Sequence, residues 1–249
     1  MWPWAMQFFG STLEVLEKAF RLLEAQVPPP KRKVWKDSFV FRYAERTIHQ
    51  AIVQKLARTI SGLHAVETLL VEGLFQEQGM IQRALDEIGE DIEFLSLAVI
   101  RGELTQRHKE YLDYFYAEEF HDPSDIMGSH ASRGMVRREK IRAYINRELG
   151  AESSRADKII IKAYSGFVHA ASPHIMDMYG GVPPRFDVSG EFRRLRSGEH
   201  ADDALNYFYR ALLSMALAGK AFGDEELFTE MRAEAAKLEE KIKARRAAR

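Results

Sequence analysis

"LARTISGLHAVETLLVEGLFQEQGMIQRALDEIGEDIEFLSLAV", residues 56–99, carries two apolar stripes in succession. Apolar side chains recur at helical spacing over residues 56–74, and again over residues 81–99, where they step by four, three, four, three and four. The second stripe alone predicts an amphipathic helix of about five turns. Gly73 and Gly79 bracket the predicted turn between the two helices. Because so short a link leaves few other arrangements, the helices should pack antiparallel.

Helical patterns dominate the rest of the chain. Further helices are predicted over residues 104–120 and 135–150, and two more meet at "FGDEEL", where Gly223 can end one helix and Asp224 can cap the next. No alternation of useful length predicts a strand. The sequence therefore predicts an all-α helical bundle.

The N-terminal part divides into a helix and a connector. Ser11 or Thr12 can cap a helix that the prolines at 28–30 terminate. We assign residues 1–30 to a separable N-terminal amphipathic helix, residues 31–38 to a linker, and residues 39–249 to a helical bundle domain.

Composition excludes several classes of protein. The chain has 249 residues, 46% hydrophobic and 29% charged, with 36 basic residues against 37 acidic ones and no cysteine. Disulfides, cysteine nucleophiles and cysteine-ligated zinc are therefore excluded, and no overall charge attracts nucleic acid or a membrane. Without a signal-peptide pattern or an apolar run long enough for a membrane span, we expect a cytoplasmic protein.

"AYSGFVHAASPHIMDMYGG", residues 163–181, is the first candidate site. A helix entering this stretch carries a polar column at spacings of three and four residues: Lys162, Ser165 and His169. Ser172 and Pro173 then favour the start of a short helix with His174 in its first turn. Imidazole titrates near neutrality, so His169 can serve as an acid or a base. The alternative is a partly buried His169 bonded to a carboxylate or a carbonyl group.

The second candidate site lies on the predicted helix over residues 81–99. Arg83 and Glu87 stand four residues apart and can form an ion pair. Two interpretations stay open. Their side of the helix faces solvent, or another helix covers it and buries the pair.

A metal centre is not expected. Glu118 and His121 have the spacing used in di-iron helical bundles, but such a site needs two copies of that pattern and two further glutamates. With one copy present and the histidines dispersed, we predict neither a metal nor a cofactor.

Two segments are locally basic. "KRKVWKDSFVFRY" begins at Lys31, and residues 133–147 carry six basic side chains against a single glutamate. Each can attract phosphate, or can be a solvated connector or helix flank.

Three longer runs resemble a known group: "ETLLVEGLFQEQGMIQRALDEIGEDIEFL", "YSGFVHAASPHIMDMYGG" and "HADDALNYFYRALLSMALAGKAFGDEEL". They are similar to a widespread, mostly prokaryotic group of all-helical proteins thought to be distant relatives of the HEPN (higher eukaryotes and prokaryotes nucleotide-binding) domains. The resemblance covers about residues 40–235 and implies a HEPN-like helical bundle with an additional N-terminal helix. It also implies that four residues match recurrent polar positions: Arg83, Glu87, Ser165 and His169.

Many HEPN proteins are metal-independent ribonucleases of toxin and antiviral systems, and act as dimers through an arginine that precedes a histidine in a late helix. This chain departs from that pattern, because Lys162 stands seven residues before His169. A lysine offers a point charge where a guanidinium would bind phosphate in two places.

We therefore expect a homo-oligomer that binds a nucleotide, RNA or a protein partner through the polar face around His169, with binding by Arg83, Glu87, Ser165 and His174. A second hypothesis is a metal-independent endoribonuclease in which His169 is the acid or base and Lys162 neutralises phosphate. A third is a structural helical oligomer without a ligand.

Overall fold

A computed structural model describes residues 3–120, 125, 127–129, 133–148 and 164–247. Most of these residues are helical, which confirms the predicted all-α class at the level of secondary-structure content. The helices are α1 (Pro3–Glu24), α2 (Ile48–Glu72), α3 (Phe75–Ile100), α4 (Gln106–Tyr116), α5 (Arg138–Ile145), α6 (Ser172–Met176), α7 (Arg193–Ala221) and α8 (Glu225–Ala247). A 3₁₀ turn over Asn146–Glu148 continues α5, and residues 164–168 are also helical.

The two helices α2 and α3 form the predicted antiparallel pair. Lys55 of α2 bonds Asp91 of α3, while Gly62, further along α2, lies against Leu85, earlier in α3. Only the first bracketing glycine is in the turn. Gly73 adopts a left-handed conformation (φ 78°) that ends α2, as a helix C-terminus commonly requires.

Helix α1 belongs to the same core and is not a separable arm. Its apolar side is buried at Leu13, Leu16 and Leu23, and Phe9 stacks on Phe208 of α7 with ring centroids 4.6 Å apart. The predicted cap is also wrong. The Ser11 hydroxyl donates to the Phe8 carbonyl from within the helix, which begins further upstream.

Residues 31–42, predicted as a linker and the start of the bundle, form a β-hairpin instead. Strand β1 (Lys31–Trp35) pairs antiparallel with β2 (Ser38–Arg42), and most side chains of both strands are exposed. The strands escaped the pattern because each is only five residues long, which leaves too short an alternation of apolar and polar side chains to predict a strand.

In the C-terminal half, α7 packs on both α2 and α3, and α8 packs on α7. A second short hairpin, β3 (Tyr179–Gly180) and β4 (Arg185–Phe186), follows α6 and precedes α7. The predicted boundary between the last two helices is confirmed: Gly223 has φ 78°, and the Asp224 carboxylate accepts the Leu227 amide N–H at 2.9 Å. No helix in the described part of the chain is both long and apolar enough to cross a membrane.

Candidate functional site

The stretch over residues 164–176 is a helix, a turn and the short helix α6, and it packs on the start of α3. The Phe167 ring covers Gly79, so closely that a Cβ on Gly79 would lie 2.5 Å from the ring. Gly79 is therefore inside α3 because Phe167 needs its space, and the prediction that it bounds the turn is wrong. We call residues 164–176 the corner.

His174 has a packing role in the corner. Its ring lies edge-on to Phe167, with centroids 4.5 Å apart, and fills the space beside Gly166. Its main-chain carbonyl accepts a hydrogen bond from Nε2 of Gln76 at 2.7 Å. These contacts join the corner to the first turn of α3.

His169 is exposed, whereas Ser165 is half-buried. The His169 amide N–H donates to the Ser165 carbonyl at 3.2 Å, which closes the helical turn, and Ala170 follows with φ 48°. An exposed imidazole is incompatible with the interpretation of His169 as a partly buried, internally bonded histidine. Lys162, the other predicted catalytic residue, lies outside the described residues.

The corner and the β3–β4 hairpin present apolar side chains to solvent. Large apolar side chains are exposed around the corner and β3–β4: Val168, Met176, Tyr179, Val182, Phe186 and Val188. The nearby Arg185 is paired with Glu191. This surface therefore suits an apolar partner better than a phosphate.

Arg83 and Glu87 belong to a different cluster. Arg83 Nη2 lies 2.6 Å from Glu87 Oε1, and the arginine side chain is 15% exposed while the glutamate is 40% exposed. Helix α5 packs over this side of α3, because Arg138 donates to the Glu87 carbonyl at 3.1 Å and Arg142 donates to Glu90 at 2.7 Å. Helix α5 therefore covers part of this face, and the Arg83–Glu87 pair is half-buried, between the two interpretations.

At the centre of this cluster is Asp91, a carboxylate that the sequence analysis missed. Its side chain is 2% exposed and accepts from Lys55 Nζ at 2.7 Å and from Arg138 Nη1 at 2.6 Å. The ion pairs connect α2, α3 and α5. Burial raises the pKa of the neighbouring Glu90 carboxyl, even though Arg142 and Arg138 oppose that change.

A second buried polar contact joins α3 to α7. Asp86 accepts hydrogen bonds from the Tyr207 hydroxyl at 3.3 Å and from Arg210. Burial raises the pKa of Asp86, and burial together with the Asp86 charge raises that of Tyr207. Asp86 and Tyr207 are buried, and Arg210 is partly exposed at the edge of the contact, so we assign these residues to stability.

Most cations of the basic segment 133–147 bond within the protein. Arg133 donates to the Tyr114 carbonyl at 2.9 Å, and Arg147 pairs with Glu103 at 2.7 Å, while Arg138 and Arg142 bind the acids of α3. Arg137 and Lys140 are exposed. Most cations of this segment are therefore bonded within the protein, and Arg138 and Arg142 hold α5 against α3.

Glu118, considered as a metal ligand, is instead a partner of the β-hairpin. It accepts Nε and Nη2 of Arg42 at 2.8 and 2.9 Å, and Lys33 Nζ is 3.8 Å away. His121 lies outside the described residues. Among those that are described, no three ligand-type side chains converge on one point as a metal site requires.

Three neighbouring hollows share lining residues, and together we call them the hairpin groove. The first lies against the hairpin, the second between the hairpin and the end of α4, and the third between α4 and the start of α5. The first two share Arg42, Tyr43 and Arg46, and the last two share Phe115 and Arg133.

The hairpin groove is basic and aromatic. Eight cationic side chains line it against three carboxylates, Asp91, Glu118 and Glu119. Aromatic rings also line it, among them Trp35, Tyr43, Phe115 and Tyr116. A signal for it was present in "KRKVWKDSFVFRY", where basic and aromatic residues interleave, but the sequence does not show that α4 and α5 complete the walls.

Comparison with protein-family models, with curated proteins and with solved structures finds no match to this chain.

Proposed function

We propose that the protein is a HEPN-like helical bundle that binds RNA, and that the hairpin groove is the main contact surface. The observation that carries this proposal is the excess of cationic over acidic side chains along a groove that also presents aromatic rings. Cations neutralise phosphates and release counterions, and aromatic rings stack on bases.

The extent of the groove favours RNA over a single nucleotide. It continues from Lys31 on the hairpin, past Arg46 and Arg133, to Arg138 on α5. A mononucleotide would occupy one of the three hollows, whereas a strand can place successive phosphates along all of them. Arg138 already pairs with Asp91, so we assign most of the attraction for RNA phosphates to the exposed cations nearer the hairpin.

Salt-dependent binding tests the proposal. Fluorescence anisotropy with a labelled 20-nucleotide RNA, in excess chelator and at several salt concentrations, should show binding that weakens steeply with salt. Each phosphate contact on a single strand contributes about 0.7 to the log–log slope. The double variant Lys31→Gln/Arg46→Gln should therefore bind more weakly and reduce the slope by about 1.4.

The control removes the same charge elsewhere. Lys237 and Lys243 lie on α8 and pair with glutamates of their own helix. The double variant Lys237→Gln/Lys243→Gln should bind RNA like the unmodified protein. If the RNA does not bind at low salt, or if both double variants bind equally well, the proposal is wrong.

Exposure of the His169 imidazole favours one alternative, a metal-independent endoribonuclease, because an exposed ring is accessible to RNA. The same RNA, incubated with protein in excess chelator, tests it. Cleavage that His169→Ala abolishes would support the enzyme, and cleavage that persists in this variant would remove His169 from the mechanism.

Self-association is the remaining candidate, and the exposed apolar side chains around the corner favour it. Sedimentation velocity should show an oligomer that Val182→Glu dissociates. A monomer at every concentration would contradict it.

A further inference from the structure

The two faces of the β-hairpin differ in their surroundings. Cross-strand pairing places Arg32 opposite Phe41 and Val34 opposite Phe39, so these side chains share one face. The other face, with Trp35 and Arg42, lines the hairpin groove, and Arg32 and Phe41 of the first face also line its hollows. We call the first one the outer face.

The outer face presents apolar and aromatic side chains to solvent. Val34 is 82% exposed, Phe41 56% and Phe39 42%. The exposed part of these side chains removes no apolar area from water, so that part contributes nothing to folding. An exposed apolar cluster on a short ribbon therefore indicates a binding surface.

Three planar groups contact one another on the outer face. The Arg32 guanidinium lies over the Phe39 ring, 3.8 Å from its centroid, and the Phe41 ring meets Phe39 edge-on with centroids 5.4 Å apart. Guanidinium and phenyl planes are both surfaces on which nucleic-acid bases stack.

The hairpin is held at its base, so this face is fixed in direction. The Glu118 carboxylate accepts two N–H groups of Arg42 on the opposite face, and the Tyr116 hydroxyl donates to the Thr47 carbonyl just after the hairpin. A platform that is already positioned loses little conformational freedom when a base stacks on it.

We propose that the outer face is a stacking platform for the unpaired bases of a single-stranded nucleic acid. This inference rests on the proposed function and names its substrate class. A duplex keeps its bases stacked on one another inside the helix, so it can use the cations of the groove but not Phe39 or Phe41.

Charge decides between nucleic acid and a lipid surface as the occupant. Five cations lie between Lys31 and Arg42, and the one acid of this segment is Asp37. Asp37 lies in the turn next to Lys36, at the tip that would enter a bilayer first. Burying that carboxylate is unfavourable, whereas a nucleic acid crosses the face of the ribbon and leaves the tip in water.

The experiment compares one RNA sequence as a single strand and as a blunt duplex. The variant Phe39→Ala/Phe41→Ala should bind the single strand about tenfold or more weakly, with an unchanged salt slope, and should bind the duplex as the unmodified protein does. Lys31→Gln/Arg46→Gln should instead lower the affinity for both the single strand and the duplex, and should reduce the salt slope of binding.

Two controls separate stacking from damage to the fold. The Phe39→Trp/Phe41→Trp variant keeps planar rings and should retain the affinity for the single strand. Because both phenyl rings are about half exposed and lie outside the hydrophobic core, the alanine variant should keep a thermal unfolding midpoint close to that of the unmodified protein.

Each other outcome is decisive. If the alanine variant binds the single strand as tightly as the unmodified protein does, the platform is wrong while the proposed function stands. If neither RNA binds, both proposals fall. If phosphatidylserine vesicles bind more tightly than RNA, and the alanine variant loses that binding, the outer face belongs to a lipid surface.

Discussion

Lowering the pH from 7.5 to 4 should destabilise the fold through His108, a histidine in the first turns of α4. Its ring is fully buried, stacked on Phe94 with centroids 4.0 Å apart and edge-on to Tyr144 at 4.6 Å. The ring nitrogen Nδ1 accepts the amide N–H of Thr105 at 3.1 Å, which requires this nitrogen to be unprotonated. Protonation of the ring would therefore charge a buried group.

The magnitude follows from the pKa. Burial lowers the pKa of His108 from its ordinary 6.5 to about 4 in the folded protein. The folded state thus prefers the neutral ring, so the stabilisation is complete above pH 6.5 and is lost as the pH falls through 6.5 to 4. A difference of about 2.5 pH units corresponds to about 3 kcal/mol of unfolding free energy.

The variant His108→Gln isolates this contribution. Glutamine cannot be protonated in this range, yet its side-chain oxygen can accept the Thr105 N–H as the third residue of a capping box. Urea unfolding followed by circular dichroism at pH 7.5, 6, 5 and 4 gives both free energies. The advantage of the unmodified protein over the variant should shrink by about 3 kcal/mol across this range. A constant difference at all four values would refute the reasoning.

Two further changes test the packing of α3. Asp91→Asn should lower the unfolding free energy measured in urea titrations by about 2–4 kcal/mol, because it leaves two largely buried cations without their carboxylate. The control is Glu239→Gln, which removes an exposed ion pair on α8 and should change the unfolding free energy by less than about 0.5 kcal/mol. Equal effects would contradict the role given to the buried charge. Gly79→Ala should lower the thermal unfolding midpoint, because the added Cβ would overlap the Phe167 ring. The control is Gly10→Ala, whose added Cβ would meet no atom within 4 Å, so it should leave the midpoint unchanged or raise it. A midpoint unaffected by Gly79→Ala would show that the corner does not pack on α3 as described.

The helices that could be predicted are those whose signals are local. The apolar stripe over residues 81–99 is sufficient for α3, because one helix face meets the core at every turn. The boundary at Gly223 and Asp224 was equally predictable, since a left-handed glycine and a carboxylate cap act within one turn of the chain.

The sites were harder, because function and packing use the same residue types. His174 was predicted as a binding residue, but the main contacts of its ring are with Phe167 and the space beside Gly166. The spacing of Arg83 and Glu87 predicted their ion pair, yet no local pattern showed that α5 would cover it.

By itself, the amino-acid order determined which segments become helices and where several of them begin and end, because hydrogen bonds, caps and apolar faces repeat within a few residues. The tertiary structure alone decided that Lys55, Asp91 and Arg138 meet, that α1 joins the core, and that a basic hairpin combines with α4 and α5 into a groove. These contacts join residues tens of positions apart, and the free energy that selects them depends on burial and charge in the assembled fold, which no short stretch of sequence contains.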